Sequence, residues 1–227
     1  MAESAQNLAE HKFYWCSKLF VLMQDMAAQH TNAVLKVLAD VDHFQTERRY
    51  PEAGLLFAEK QWRVFYHRHE TRPMHADEHG HLHIFTDIGD QDWAHVVGLS
   101  IDAEGQPLQW FMTNRWVTDG PWLNHENLLQ QFEALEPGMD DGLVGNWLTV
   151  LLQLYSDTLF GLLEKRDARM QKKAEGREMS VMLDDRDVYM LATQSIDLQS
   201  MLEKYLLYSH ADVAEPEINK NDLQAGV

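Results

Sequence analysis

Six of the twelve histidines fall between positions 67 and 83: His67, His69, His75, His79, His81 and His83. Random placement would put about one there. Imidazole is the commonest side-chain metal ligand and titrates near ~6.5, so this density points first to metal chemistry and second to a pH response. On a β-strand, residues i and i+2 face the same way, ~6.5–7 Å apart. His67/His69 and His79/His81/His83 both follow that spacing. The second run spans ~13 Å, too far for all three to reach one ion through bonds of ~2.1 Å. Further ligands must then come from a facing strand. A register opposing His69 to His79 also opposes His67 to His81 on one face, and His95 on the following strand has the matching parity. The candidate ligands are therefore His67, His69, His79, His81, His83 and His95. An odd shift of register would split them between two faces.

Imidazoles with an optional carboxylate suit zinc, iron, copper or nickel. The lone thiol, Cys16, excludes iron–sulfur clusters and thiolate zinc sites, and it cannot form an internal disulfide. The cofactor expected is a transition metal, iron or copper ahead of zinc, with haem as the alternative. The nearby acids Glu70, Asp77, Glu78 and Asp87 can ligate or orient imidazoles. His81, His83 and Asp87 would match a two-histidine, one-carboxylate triad with open positions. His75-Ala76-Asp77 is similar to the His-x-Asp of 2-oxoglutarate oxygenases, but too few strands are visible for their jelly roll. His81-x-His83 with Asp87 is similar to a cupin motif, but the later glycine-rich motif is missing. Arg115 and Trp116 are the candidate substrate-binding pair, placed to hold an anionic or planar small molecule. The competing reading pairs Arg115 with one of the many acids and packs the tryptophans in the core.

These side chains need a scaffold. Apolar residues from Leu8 to about Asp42 recur at helical spacing, with Thr31 as a plausible cap of a second helix. Four strands follow, at 61–69, 79–86, 94–101 and 107–113, the last two joined by the turn Asp102-Ala103-Glu104-Gly105. Residues 114–126 read as a structured loop and Asn124 as the cap of the next helix. A long helix is expected from about Asp141 to Lys172 and a last one from Asp184 to Tyr208. Trp62, Trp93, Trp110 and Trp147 are assigned to the core. The fold class expected is α+β: an antiparallel four-stranded or slightly larger sheet flanked by N- and C-terminal helices, as a single domain over 1–210 with a flexible tail at 211–227.

Composition narrows the partners. With 45% hydrophobic and 24% charged residues the chain is ordinarily globular. A net charge of −17 with no basic patch argues against nucleic acid. Leu143 to Leu163 is apolar but carries Asn146, Gln153 and Asp157, which suits a buried helix and not a membrane span. The start of the chain lacks a secretory signal, so a cytoplasmic location is expected. The oligomeric state is left open.

Three segments, Glu78-His79-Gly80-His81-Leu82-His83-Ile84-Phe85, His95-Val96-Val97-Gly98-Leu99-Ser100 and Thr113-Asn114-Arg115-Trp116-Val117-Thr118, resemble an uncharacterised bacterial family of unknown function. The resemblance covers roughly residues 45–125 and brings no activity with it. It implies that the histidine segment and the Asn-Arg-Trp loop belong to one site. The function expected is a metal-dependent enzyme, an oxidoreductase or oxygenase acting on a small molecule, with Arg115 positioning an anionic substrate. The alternatives are a non-catalytic metal- or haem-binding protein and a histidine-rich interaction module.

Overall fold

The computed structural model describes residues 2–70, 75–139 and 141–207, with side chains described from Gln6 onward. The tail expected at 211–227 lies outside the described residues. Among the described residues six strands form one antiparallel sheet in sequence order: β1 (Tyr50–Phe57), β2 (Trp62–His67), β3 (Gly80–Asp87), β4 (Trp93–Ile101), β5 (Pro107–Thr113) and β6 (Met190–Ser195). The helices are α1 (Ala2–Ala28), α2 (Ala33–Val37), α3 (Arg115–Thr118), α4 (His125–Glu133), α5 (Gly142–Leu154), α6 (Ser156–Lys173), α7 (Met179–Leu183) and α8 (Leu198–Leu207). The α+β class holds, and the sheet is two strands larger than the four legible segments.

One face of the sheet carries Trp62, Val64, Tyr66, Leu82, Ile84, Leu99, Trp110 and Met112, all essentially inaccessible and joined in one apolar cluster with α1, α4, α5 and α6. Each such side chain contributes ~1.5–3 kcal/mol by leaving water, which is why this face holds the helices. Helix α1 packs on α5 and α8, and α6 packs on β5, β6 and α4. Among the described residues no helix is long and apolar enough to cross a membrane.

Several expectations are corrected. The final helix does not begin at Asp184: Met190–Ser195 is the edge strand β6, hydrogen-bonded to β5 with Met112 opposite Ala192, and helix resumes only at Leu198. Only Leu191 of this strand is fully buried, so the apolar spacing carried little strand signal. The long helix breaks at Tyr155 into α5 and α6. Asn32, and not Thr31, caps α2, its side chain accepting from the Leu35 amide. Asn124 caps α4 as expected. Cys16 is buried, and burial pushes its thiol up to about 11, which leaves it unreactive at neutral pH. Trp93 is only half-buried and lies on the other face of the sheet.

Candidate metal centre

That other face carries the histidines. Directly opposed residues of an antiparallel pair share a face. The β2–β3 register sets His67 opposite His81, as the spacing suggested, and Phe65 opposite His83. Across β3–β4, Gly98 lies opposite His83 and His95 opposite Phe85, with a bulge between that keeps His95 on the same side. Across β4–β5, Gly98 lies opposite Phe111. One ligand atom each from His67, His81 and His83 falls within 4.8 Å of the others. The Nε2 atoms of His67 and His81 face each other at 2.5 Å. A tetrahedral ion with bonds of ~2.1 Å wants donors ~3.4 Å apart, between that closest pair and the outer spread. His67, His81 and His83 can therefore hold a metal ion.

Their surroundings orient them. The buried Glu78 carboxylate lies 2.6 Å from His81 Nδ1, which fixes that nitrogen as the N–H and turns the Nε2 lone pair toward His67. His83 Nδ1 lies 3.0 Å from His95 Nε2, leaving His83 Nε2 to point elsewhere. Phe111 presents its ring to both buried imidazoles, 5.4 Å from His81 and 5.5 Å from His83, nearly perpendicular to each. Gly98 makes this possible: a Cβ there would sit 2.1–2.6 Å from three atoms of the Phe111 ring.

Burial, reinforced by neighbouring imidazoles and the Arg49 charge, pulls His67 down to about 3. Burial also holds His83 well below the usual histidine range and, with Arg166, pulls His95 down to about 3. All three are thus neutral at pH 7, the form that ligates. The sign of the linkage follows. The unfolded chain takes up protons near ~6.5 while the folded one resists until about 3, so stability is intact above ~6.5 and falls as pH drops toward 3. The slope reaches ~1.4 kcal/mol per pH unit for each such histidine. Metal-free protein is expected to melt several degrees lower at pH 5.0 than at pH 7.5. An unchanged Tm would contradict neutral burial.

Glu78→Gln preserves shape but removes the charge that makes His81 a better donor. Outer partners of this kind are worth ~10–100-fold in metal affinity. That loss, with an unchanged Tm, is the expected result of a competition titration against a chromophoric chelator.

The remaining candidates lie elsewhere or at the rim. His69 stands just past β2, its Nδ1 2.6 Å from Glu47 and its ring 4.7 Å from that of His67. His79 leaves the cluster. It precedes β3, and its Nδ1 sits 2.5 Å from the Tyr66 hydroxyl on the helix-covered side. His75 sits beside Asp77. Asp87 caps its own turn, accepting from the Gly89 amide, four residues or ~13 Å along the strand from His83; the two-histidine, one-carboxylate triad does not assemble. Arg115 is ion-paired with Asp184, and the Trp116 indole N–H donates to the Val188 carbonyl at 2.9 Å. Neither is among the three imidazoles brought together within 4.8 Å. Sequence reasoning passed over Phe111 and Gly98, and nothing in their spacing marks them: Gly98 is legible only as a missing side chain opposite a ring.

An antiparallel six-stranded sheet, helix-backed on one face and carrying three convergent imidazoles on the other, defines the class. The chain belongs to the family described as a domain of unknown function, DUF6969, whose profile matches residues 15–196 and so contains the whole histidine site. No curated protein and no solved structure matches the chain.

Proposed function

We propose that this protein is a metal-dependent enzyme, an oxidoreductase in which His67, His81 and His83 hold one iron or copper ion. The observation that carries this reading is the convergence of three imidazole nitrogens within 4.8 Å. Three protein ligands leave coordination positions open, as catalytic sites do and closed structural sites do not. All-nitrogen donors suit iron and copper. Imidazoles grouped on one side favour a single ion over haem, whose iron offers only its two axial positions. The ion would supply Lewis acidity or an electron. The chain supplies orientation through Glu78 and His95, and a dry wall through Phe111. Three neutral ligands leave the ion's charge uncompensated, which favours an anionic substrate.

Metal analysis of the untagged protein as purified, with its absorption spectrum, tests this. Near-stoichiometric iron or copper is the expected result. Stoichiometric zinc would overturn the oxidoreductase assignment, and failure to take up any added transition metal would overturn the metal centre.

A further inference from the structure

The face that bears the histidines continues into a cavity of about 330 Å3 with an unusual lining. Along β2, Arg63, Phe65 and His67 share that face at successive i+2 positions, and Phe85 and Trp93 border the same space from β3 and β4. The Arg63 guanidinium lies over three rings, 4.3 Å from Trp93, 4.9 Å from Phe65 and 5.6 Å from Phe85. Arg49 reaches the same Phe65 ring from the segment before β1, at 5.5 Å. A guanidinium stacked on rings keeps its N–H edge free for a planar acceptor.

Among the described residues that edge meets no hydrogen-bonding acceptor. Among the described residues neither Arg49 nor Arg63 makes an ion pair, and Arg63 Nε is buried without a hydrogen-bond partner. Asp92 and Asp119 also line the cavity without pairing to either arginine. This is notable in a chain with 36 acidic and 19 basic residues, where Arg115 and Arg166 have both found carboxylates. Burial lowers the Arg63 guanidinium, the Arg49 charge adds to this, and the Asp87 carboxylate acts against it.

We infer that this cavity is the carboxylate-binding subsite of the proposed enzyme, taking an organic acid whose charged end meets Arg49 and Arg63 and whose apolar body lies on Phe65 and Phe85. This rests on the metal-centre reading for its role but not for its binding. Arg–carboxylate pairing is planar and bidentate, matching the N–H fork of a guanidinium held over rings. Phe65 lies opposite His83, and Phe85 meets the His95 ring edge-on, 5.2 Å between centroids, so a body resting on these rings extends toward the histidines. The ~13 Å from Arg63 to His67 along the strand leaves room for a small acid between them.

Benzoate is the probe, with benzamide as its uncharged counterpart, titrated calorimetrically into both chelator-treated and metal-loaded full-length protein. Expected is a Kd in the low-millimolar range for benzoate in both forms, at least about tenfold weaker binding of benzamide, and a shift of the Trp93 indole resonance on saturation. Arg63→Gln and the exposed Arg49→Gln should each weaken benzoate about tenfold or more without changing metal content. Arg49→Gln serves if Arg63→Gln fails to fold. Equal binding of benzamide, undiminished binding by Arg49→Gln, or no binding up to about 50 mM would overturn the subsite. Benzoate binding by a protein that takes up no metal would leave the subsite standing and remove the metal centre. Metal without benzoate binding would do the reverse.

Discussion

His67→Ala, His81→Ala and His83→Ala proteins should each carry less than about a tenth of the metal found in the unmodified protein, while His79→Ala and His75→Ala retain it. The contrast matters more than the loss. Histidine density alone makes all six positions between 67 and 83 equivalent, whereas the strand register selects three. Removing an outer partner of a ligating histidine already costs ~10–100-fold in affinity, so removing a ligand should exceed that. The three variants differ in structural risk. His81 is wholly buried, and truncating it removes the imidazole that lies 2.6 Å from the buried Glu78 carboxylate. His83 is nearly as enclosed. His67 is half-buried at the rim, so His67→Ala should fold normally and isolates the loss of a ligand from the loss of structure. Inductively coupled plasma mass spectrometry, paired with thermal melts, separates the two. Metal retained by a folded His67→Ala protein, or lost equally from His79→Ala, would mean that the trio is not the site.

The sequence made the central strands visible because buried faces demand alternating or β-branched residues. The segments at 61–69, 79–86, 94–101 and 107–113 agree with β2 to β5 to within two residues at each end. β1 and β6 stayed hidden for a shared reason: edge strands are held by backbone pairing to one neighbour, which needs little of the side-chain pattern. Pro51, Glu52 and Gly54 interrupt the first, and a single fully buried leucine marks the second. The site divides the same way. Parity along strands found the face shared by His67, His81, His83 and His95, and the expected pairing of His67 with His81 holds. Parity failed where the strand had not yet begun. His79 has the right number but sits one residue before Gly80, where the backbone is free to send its ring to Tyr66. Arg115 drew attention because two tryptophans lay near it in sequence. Arg63, with three rings around it in space, drew none, since two of those rings come from other strands. Local spacing can place residues on a face, but it cannot rank the faces' contents by what crosses from neighbouring strands.

Gly98→Ala should be among the most damaging single-atom additions to this protein. The added Cβ would lie 2.1–2.6 Å from three atoms of the Phe111 ring, well inside contact distance. Phe111 is completely buried and its ring also lies against His81 and His83, so a displaced ring presses on the imidazoles or moves β5. Both responses are resisted: interiors are close-packed, and β5 is paired on both sides, to β4 and β6. Overpacking of this kind costs ~1–3 kcal/mol and sometimes more, and ~2–4 °C in Tm per kcal/mol applies to chains of this size. A fall in Tm of roughly 5–10 °C is expected, with metal affinity reduced as well because the ring bears directly on two of the three ligands. The compensating change is Phe111→Leu. It shortens the side chain where the new methyl arrives, so the Gly98→Ala/Phe111→Leu protein should recover part of the lost stability that neither single variant has. Coupling of that sign in a double-mutant cycle ties the glycine to the ring. Additive losses would show that Gly98 is required for some reason other than the room it leaves for Phe111 beneath the histidines.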